Sequence, residues 1–192
     1  MSAILDPQRR EIDSTESKVA KTRRDARGTD PVVLSEIYDE QTNIAVWKRA
    51  LTPSLEDAVK EFLDSGLVGE ITLTTGSENA LSDICESLGE QSPLALRKDI
   101  AQLVEMYCVL FDVKRVGLRL RVLDSPMCPR FHTDKVPCRL ICTYHGVGTE
   151  WLPHNLINRQ HLGPRNHDKS DLECGLFQNQ TDMQNTIKCH DW

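Results

Sequence analysis

Aromatic side chains are scarce in this 192-residue chain, at 5%, and no apolar run approaches the roughly 20 residues needed to span a bilayer. Met1 to Asp6 has neither the basic start nor the apolar centre of a signal peptide. A cytoplasmic protein with no membrane partner is expected. A net charge of −6 and the absence of a basic stripe exclude a generic nucleic-acid binder. There is no Cys-x2-Cys pair, no glycine-rich phosphate loop and no nucleophile elbow. Zinc ribbons, P-loop enzymes and α/β-hydrolase chemistry therefore drop out.

What remains is distributed unevenly. Residues 51–112 carry 12 acidic and 3 basic side chains, whereas residues 113–192 carry 8 acidic and 11 basic ones. The acidic middle reads as solvated helix faces, and the mildly basic end suits either an anionic ligand or an exposed sheet face. Five of the seven cysteines (Cys128, Cys138, Cys142, Cys174, Cys189) lie in the last third. All six histidines (His132, His145, His154, His161, His167, His190) lie there too. An odd number of cysteines without framework spacing points to thiols, either buried or metal-binding.

Residues 1–30 are polar, with Arg9-Arg10 and Arg23-Arg24, and bury too little to offset ordering entropy. A mobile tail is expected there, followed by a single domain over 31–192. Ile44 to Trp47 reads as a short strand or buried turn. Thr52 caps and Pro53 opens a helix whose stripe is Leu55, Ala58, Val59, Phe62 and Leu63, ending before Gly66. A second helix fits Ser77 to Leu88, with Leu81, Ile84, Cys85 and Leu88 inward, and a third fits Leu94 to Phe111. The period then changes from 3.6 to 2: Val116, Leu118, Leu120 and Val122 alternate with Arg115, Gly117, Arg119 and Arg121 as a half-buried strand. Further strands are expected over Arg139–Tyr144 and Thr149–Leu152, and residues 154–192 are polar and irregular. Helices first and sheet second give an α+β arrangement: 31–112 mainly helical and packed on an antiparallel sheet over 113–153.

The chemistry concentrates between Cys128 and Trp151. In an extended segment His132 and Asp134 point to one side, with Cα atoms roughly 6–7 Å apart, so an imidazole nitrogen and a carboxylate oxygen can take adjacent positions on one metal. A further histidine would complete the facial triad of non-haem Fe(II) oxygenases. The bland alternative is a surface loop in which Asp134 caps a turn. Cys138 and Cys142 are about 13 Å apart on a straight strand, too far for one tetrahedral zinc, and read as core thiols. A zinc site would instead draw on Cys128, Cys174, Cys189 or His190. Arg119, Arg121, Arg130 and Arg139 offer a bidentate carboxylate clamp, or else are solvated strand residues. Arg139 and Tyr144 are the candidate cofactor-binding residues.

The run Cys128-Pro-Arg-Phe-His-Thr-Asp134, with Arg139-Leu-Ile-Cys-Thr-Tyr-His-Gly-Val-Gly-Thr-Glu-Trp-Leu-Pro153, resembles the uncharacterised bacterial domain of unknown function 1826 family. The resemblance is densest over those residues and looser across the helices. Members are often encoded near zinc-homeostasis genes, which implies a metal-related role. The pattern also resembles the first half of a double-stranded β-helix (jelly-roll-like) oxygenase. That likeness implies His132 and Asp134 as the first two iron ligands, Fe(II) with 2-oxoglutarate as cofactors, and a small-molecule or protein substrate. The family pattern continues with an apolar strand and a later His-Arg-Ser-Pro segment, whereas here the chain reaches Cys189-His-Asp-Trp192. The expectation is a shortened, incomplete β-helix in which His190 is the candidate third ligand and metal binding is expected ahead of catalysis; the competing expectations are a non-catalytic zinc-homeostasis protein that uses the late Cys/His cluster and a structural remnant with no site.

Overall fold

The computed structural model describes residues 23–66, 70–125, 131–133, 136–162, 170–177 and 187–188. Three helices form the body. Helix α1 spans Pro53–Asp64 and begins as its sequence requires: Thr52 is extended at the cap, its hydroxyl accepts from the Leu55 N–H at 3.3 Å, and Pro53 takes the first turn, where its missing N–H costs nothing. Leu55, Ala58, Val59 and Phe62 are its buried stripe. Helix α3 spans Leu94–Phe111 and buries Leu96, Ile100, Ala101, Leu103, Val104 and Cys108.

Helix α2 covers Ala80–Leu88, starting later than the apolar pattern suggested because residues 77–79 form the turn that reverses the chain. That turn is tight. A Cβ on Gly76 would lie 2.3 Å from the Lys114 carbonyl oxygen, so only glycine lets the two backbones approach. The fully buried Thr75 hydroxyl then donates to Asp83 in the first turn of α2 at 2.6 Å. Ala80, Ile84 and Leu88 form the buried stripe at i, i+4 and i+8, which leaves Leu81, expected inward, on the exposed side.

Strand β4, Val116–Arg121, alternates as its sequence does, with Val116, Leu118 and Leu120 packed on the helical core. Its antiparallel partner, β3 (Glu70–Thr75), was not anticipated; Leu73 sits opposite Leu118 and Ile71 opposite Leu120. On the outer face Glu70 reaches both Arg119 and Arg121, at 3.2 and 3.3 Å. Arg119 and Arg121 are thus engaged across the ribbon.

A second pair is parallel: β1, Arg24–Gly28, beside β2, Thr42–Trp47, joined through a 3-10 helix over Pro31–Tyr38. Strand β1 lies inside the stretch read as a polar tail. Ala26 is its buried residue, with Arg24 and Arg27 exposed and Asp25 half-buried, so this charged segment forms a strand through its pairing with β2. A third, two-residue pair joins β5, Glu150–Trp151, to β6, Ile187–Lys188.

The architecture is α+β, as expected, but among the described residues the strands form three separate pairs, one of them parallel, and not one antiparallel sheet or a jelly roll. Residues 139–144, expected as a strand, have no ladder partner there. Their side chains still alternate: Cys138, Leu140, Cys142 and Tyr144 are half-buried, and Arg139, Ile141, Thr143 and His145 exposed. The period had reported burial, and pairing did not follow from it. Among the described residues no helix is long and apolar enough to cross a membrane.

Candidate functional site

His132 lies between β4 and the extended 138–144 segment and is exposed. The backbone just before it is fixed from the C-terminal side. The Phe131 N–H donates to the Asp171 carboxylate at 3.3 Å, and the Phe131 ring meets Phe177 edge-on at 6.1 Å. Phe177 is itself buried and bridged to Ile157, and the fully buried Leu176 accepts from the Asn158 N–H at 2.8 Å. The polar stretch after Asn155 therefore includes a small apolar anchor that folds back onto the backbone beside His132. Asp134 and His190, the other expected ligands, lie outside the described residues, as do Cys128, Arg130 and Cys189. Among the described residues no group of three or more His, Cys, Asp or Glu side chains is placed to hold a metal ion.

Arg139 and Tyr144, the expected cofactor contacts, differ in burial. Arg139 belongs to the exposed set of its segment and Tyr144 to the half-buried set. Tyr144 instead enters a buried polar cluster whose other members sequence reasoning missed. Asp99 Oδ2 accepts from Arg49 Nη2 at 2.6 Å and from the Tyr144 hydroxyl at 2.7 Å. The Arg49 guanidinium lies over the Trp47 ring at 5.2 Å and beside the Tyr144 ring at 5.9 Å. Arg49 and Asp99 side chains are only 16% and 15% exposed. A pair this buried must satisfy its own hydrogen bonds, because desolvation is costly and water is not at hand to substitute.

The electrostatics follow from that placement. Burial works against the Arg49 charge, but the Asp99 hydrogen bond, with Coulombic support from Cys142, Asp99 and Tyr144, leaves its pKa raised. Burial pushes the Cys142 thiol up, as does the Asp99 charge, while Arg49 and a hydrogen bond with Tyr144 oppose the rise. The Tyr144 phenol is driven well above the ordinary tyrosine range, first by burial and then by Cys142 and Asp99. It is a fixed hydrogen-bond donor and cannot serve as a base near neutral pH. One signal for Asp99 was present in the sequence: it falls at i+3 from Leu96 and i−4 from Leu103, on the inward stripe of α3.

The cysteines sort in the same way. Cys108 and Cys174 are buried, Cys85 accepts from Arg97 at 3.2 Å, and Cys142 belongs to the Arg49 cluster. Burial also raises the Cys138 thiol pKa, and the carbonyl of Cys138 accepts from the Tyr107 hydroxyl at 3.1 Å. Beyond Tyr144 the chain turns sharply at Gly146, whose φ of +84° favours glycine, and this turn presents His145 to solvent. Thr143, Tyr144, His145 and Gly146 form one wall of an open cavity of about 330 Å³; Leu51, Glu56 and Lys60 from the start of α1 form the other.

Residues 28–188 match a family model described as protein of unknown function (DUF1826). No curated protein and no solved structure matches the chain.

Proposed function

Since this chain belongs to the DUF1826 family of proteins of unknown function, we propose that it is a metal-binding protein, with His132 and Asp134 as ligands. Fe(II) is the metal preferred by a His-x-Asp pair of the non-haem oxygenase type, with 2-oxoglutarate as co-substrate, and zinc is the alternative. The observation that supports this reading is the return of the C-terminal chain to the backbone beside His132. A facial site of two histidines and one carboxylate needs its third ligand, a histidine, from a distant segment, and the 170–177 segment, held to the Phe131 N–H through Asp171, brings the C-terminal chain back to this neighbourhood. His132 is exposed there, as an open coordination site requires, while Phe131 and Phe177 hold the backbone from behind. Among the described residues the donor set is incomplete.

Metal content of protein purified without added metal, repeated on His132→Ala, Asp134→Ala and Asp171→Asn, tests this reading. Asp171→Asn retains an oxygen to accept the Phe131 N–H but loses the charge, so it separates ligation from anchoring. Iron lost in the first two variants supports the proposal, and iron lost in the third extends it to Asp171. Zinc retained in His132→Ala and Asp134→Ala but lost in Cys174→Ser supports the zinc-homeostasis reading instead. Metal-free wild-type protein that takes up neither ion refutes both. An oxygenase also consumes 2-oxoglutarate when given Fe(II), and metal binding without that turnover restricts the protein to a binding role.

A further inference from the structure

A second cavity, of about 200 Å³, opens between the β1–β2 pair and the segment after β5; its lining includes Arg23, Asn43, Trp151, His154 and Asn155. Its cations divide into two kinds. Arg24 is neutralised by Glu36 and Asp39, at 3.3 and 2.9 Å, and Arg27 pairs with Asp25, the acidic residue in the lining. Arg23, by contrast, donates to the neutral Glu40 carbonyl at 2.7 Å. Arg159 Nη1 lies 3.1 Å from His154 Nδ1. A guanidinium is always a donor, so Nδ1 accepts, and the proton of the neutral ring sits on Nε2, which can donate in turn. Burial, then Arg159, then Arg23 depress the His154 pKa. Arg23 and the His154 imidazole thus line one cavity, with Arg159 behind the ring, and none of the three has a carboxylate partner among the described residues, a balance that a bound anion would complete.

We propose that this cavity binds a phosphate group, through Arg23 and the Nε2–H of His154, with Arg159 as the positioning residue that fixes the His154 tautomer. A doubly charged oxoanion matches the charges of Arg23 in the lining and of Arg159 behind the imidazole, neither paired with a carboxylate among the described residues, whereas a carboxylate balances only one. The site is separate from His132 and stands whether or not the chain binds a metal.

The test follows the His154 ring proton by NMR in the full chain, assigned by its absence in His154→Gln, across a pH titration at constant ionic strength. Without ligand, His154 titrates below the ordinary imidazole value, and Arg159→Gln raises it by removing a repulsive charge. Inorganic phosphate produces a saturable upward shift, because the anion favours the protonated ring, and acetate at equal ionic strength does not. Arg23→Gln weakens phosphate binding about tenfold, the scale of one charge-assisted hydrogen bond. Glycerol phosphate binding more tightly than free phosphate identifies a phosphate ester as the ligand, and the reverse identifies free phosphate. Absence of a saturable shift, an equal response to acetate, or unchanged affinity in Arg23→Gln overturns the proposal. Arg23 and Arg159 are exposed, so both variants keep the fold, which circular dichroism verifies.

Discussion

Replacing Asp99 with alanine removes the single oxygen on which Arg49 and Tyr144 both converge. Arg49 is then left as a charge that is 16% exposed with no counter-ion at 2.6 Å, and the Tyr144 hydroxyl loses its acceptor at 2.7 Å. Breaking one side of a buried ion pair costs about 3–5 kcal/mol, because the surviving charge remains desolvated. Tyr144→Phe is a different perturbation: the Arg49–Asp99 pair survives and one hydrogen bond is lost, which costs about 1 kcal/mol. The predicted order is therefore Asp99→Ala well below Tyr144→Phe, with the double variant close to Asp99→Ala alone, since the tyrosine has no bond left to lose. Urea denaturation followed by tryptophan fluorescence reads this, because Trp47 lies under the Arg49 guanidinium. The midpoint should move while the urea dependence stays the same. An Asp99→Ala loss below about 1 kcal/mol, within the range of an exposed pair, would refute the reading of Arg49 and Asp99 as a buried, desolvated pair.

The alkaline limb of stability should carry the signature of the raised groups. Cys138, Cys142, Tyr107 and Tyr144 all have pKa values raised in the folded state. Their contribution is full below the ordinary thiol value of 9.0 and tyrosine value of 10.0 and declines as pH rises through them, because the unfolded chain ionises first; urea midpoints that hold constant from pH 8 to 10.5 would contradict this. Alkylation of Cys142, followed by mass spectrometry, should show a pH midpoint above that of a free peptide thiol, and an equal midpoint would mean the thiol is not buried as described. Thr52→Ala removes the α1 cap and should cost about 1 kcal/mol, with Thr52→Ser close to wild type. Gly76→Ala should cost about 1–3 kcal/mol, because its Cβ meets the Lys114 carbonyl and the β3–β4 ribbon must shift; a neutral result in thermal unfolding would disprove that close approach.

Helices α1 and α3 were legible because local chemistry and burial agree: a Thr-Pro start, an apolar stripe, and Asp112 in the left-handed conformation closing α3. Strand β4 was legible by its period. Its partner β3 was not, since Glu-Ile-Thr-Leu-Thr-Thr offers only two large apolar residues and its identity depends on a strand more than forty positions away. Of the parallel pair, β2 was partly read over Ile44–Trp47, while β1 was hidden for the opposite reason, as its charged residues masked a strand. At the candidate site Tyr144 was named, but its partners Arg49 and Asp99 come from separate elements, and only the fold brings the three together. The Phe131–Phe177 contact was equally invisible, because the 170–177 segment is polar in composition and buries only Cys174, Leu176 and Phe177.

The Asp99 cluster also sets a sequence of events in time. Its two contacts span 50 and 45 residues of chain, so each closes a long loop on the same oxygen. Helices such as α3 form from neighbours within microseconds, and closures of this length follow them. The 138–146 segment, which has no ladder partner among the described residues, is therefore predicted to dock after the helices and to lift away before them. In kinetic terms Asp99→Ala should accelerate unfolding far more than it slows folding. Hydrogen exchange in native conditions should show residues 138–146 opening at a free energy below that of α3, giving solvent periodic entry to Tyr144 and Cys142 while the helices stay closed.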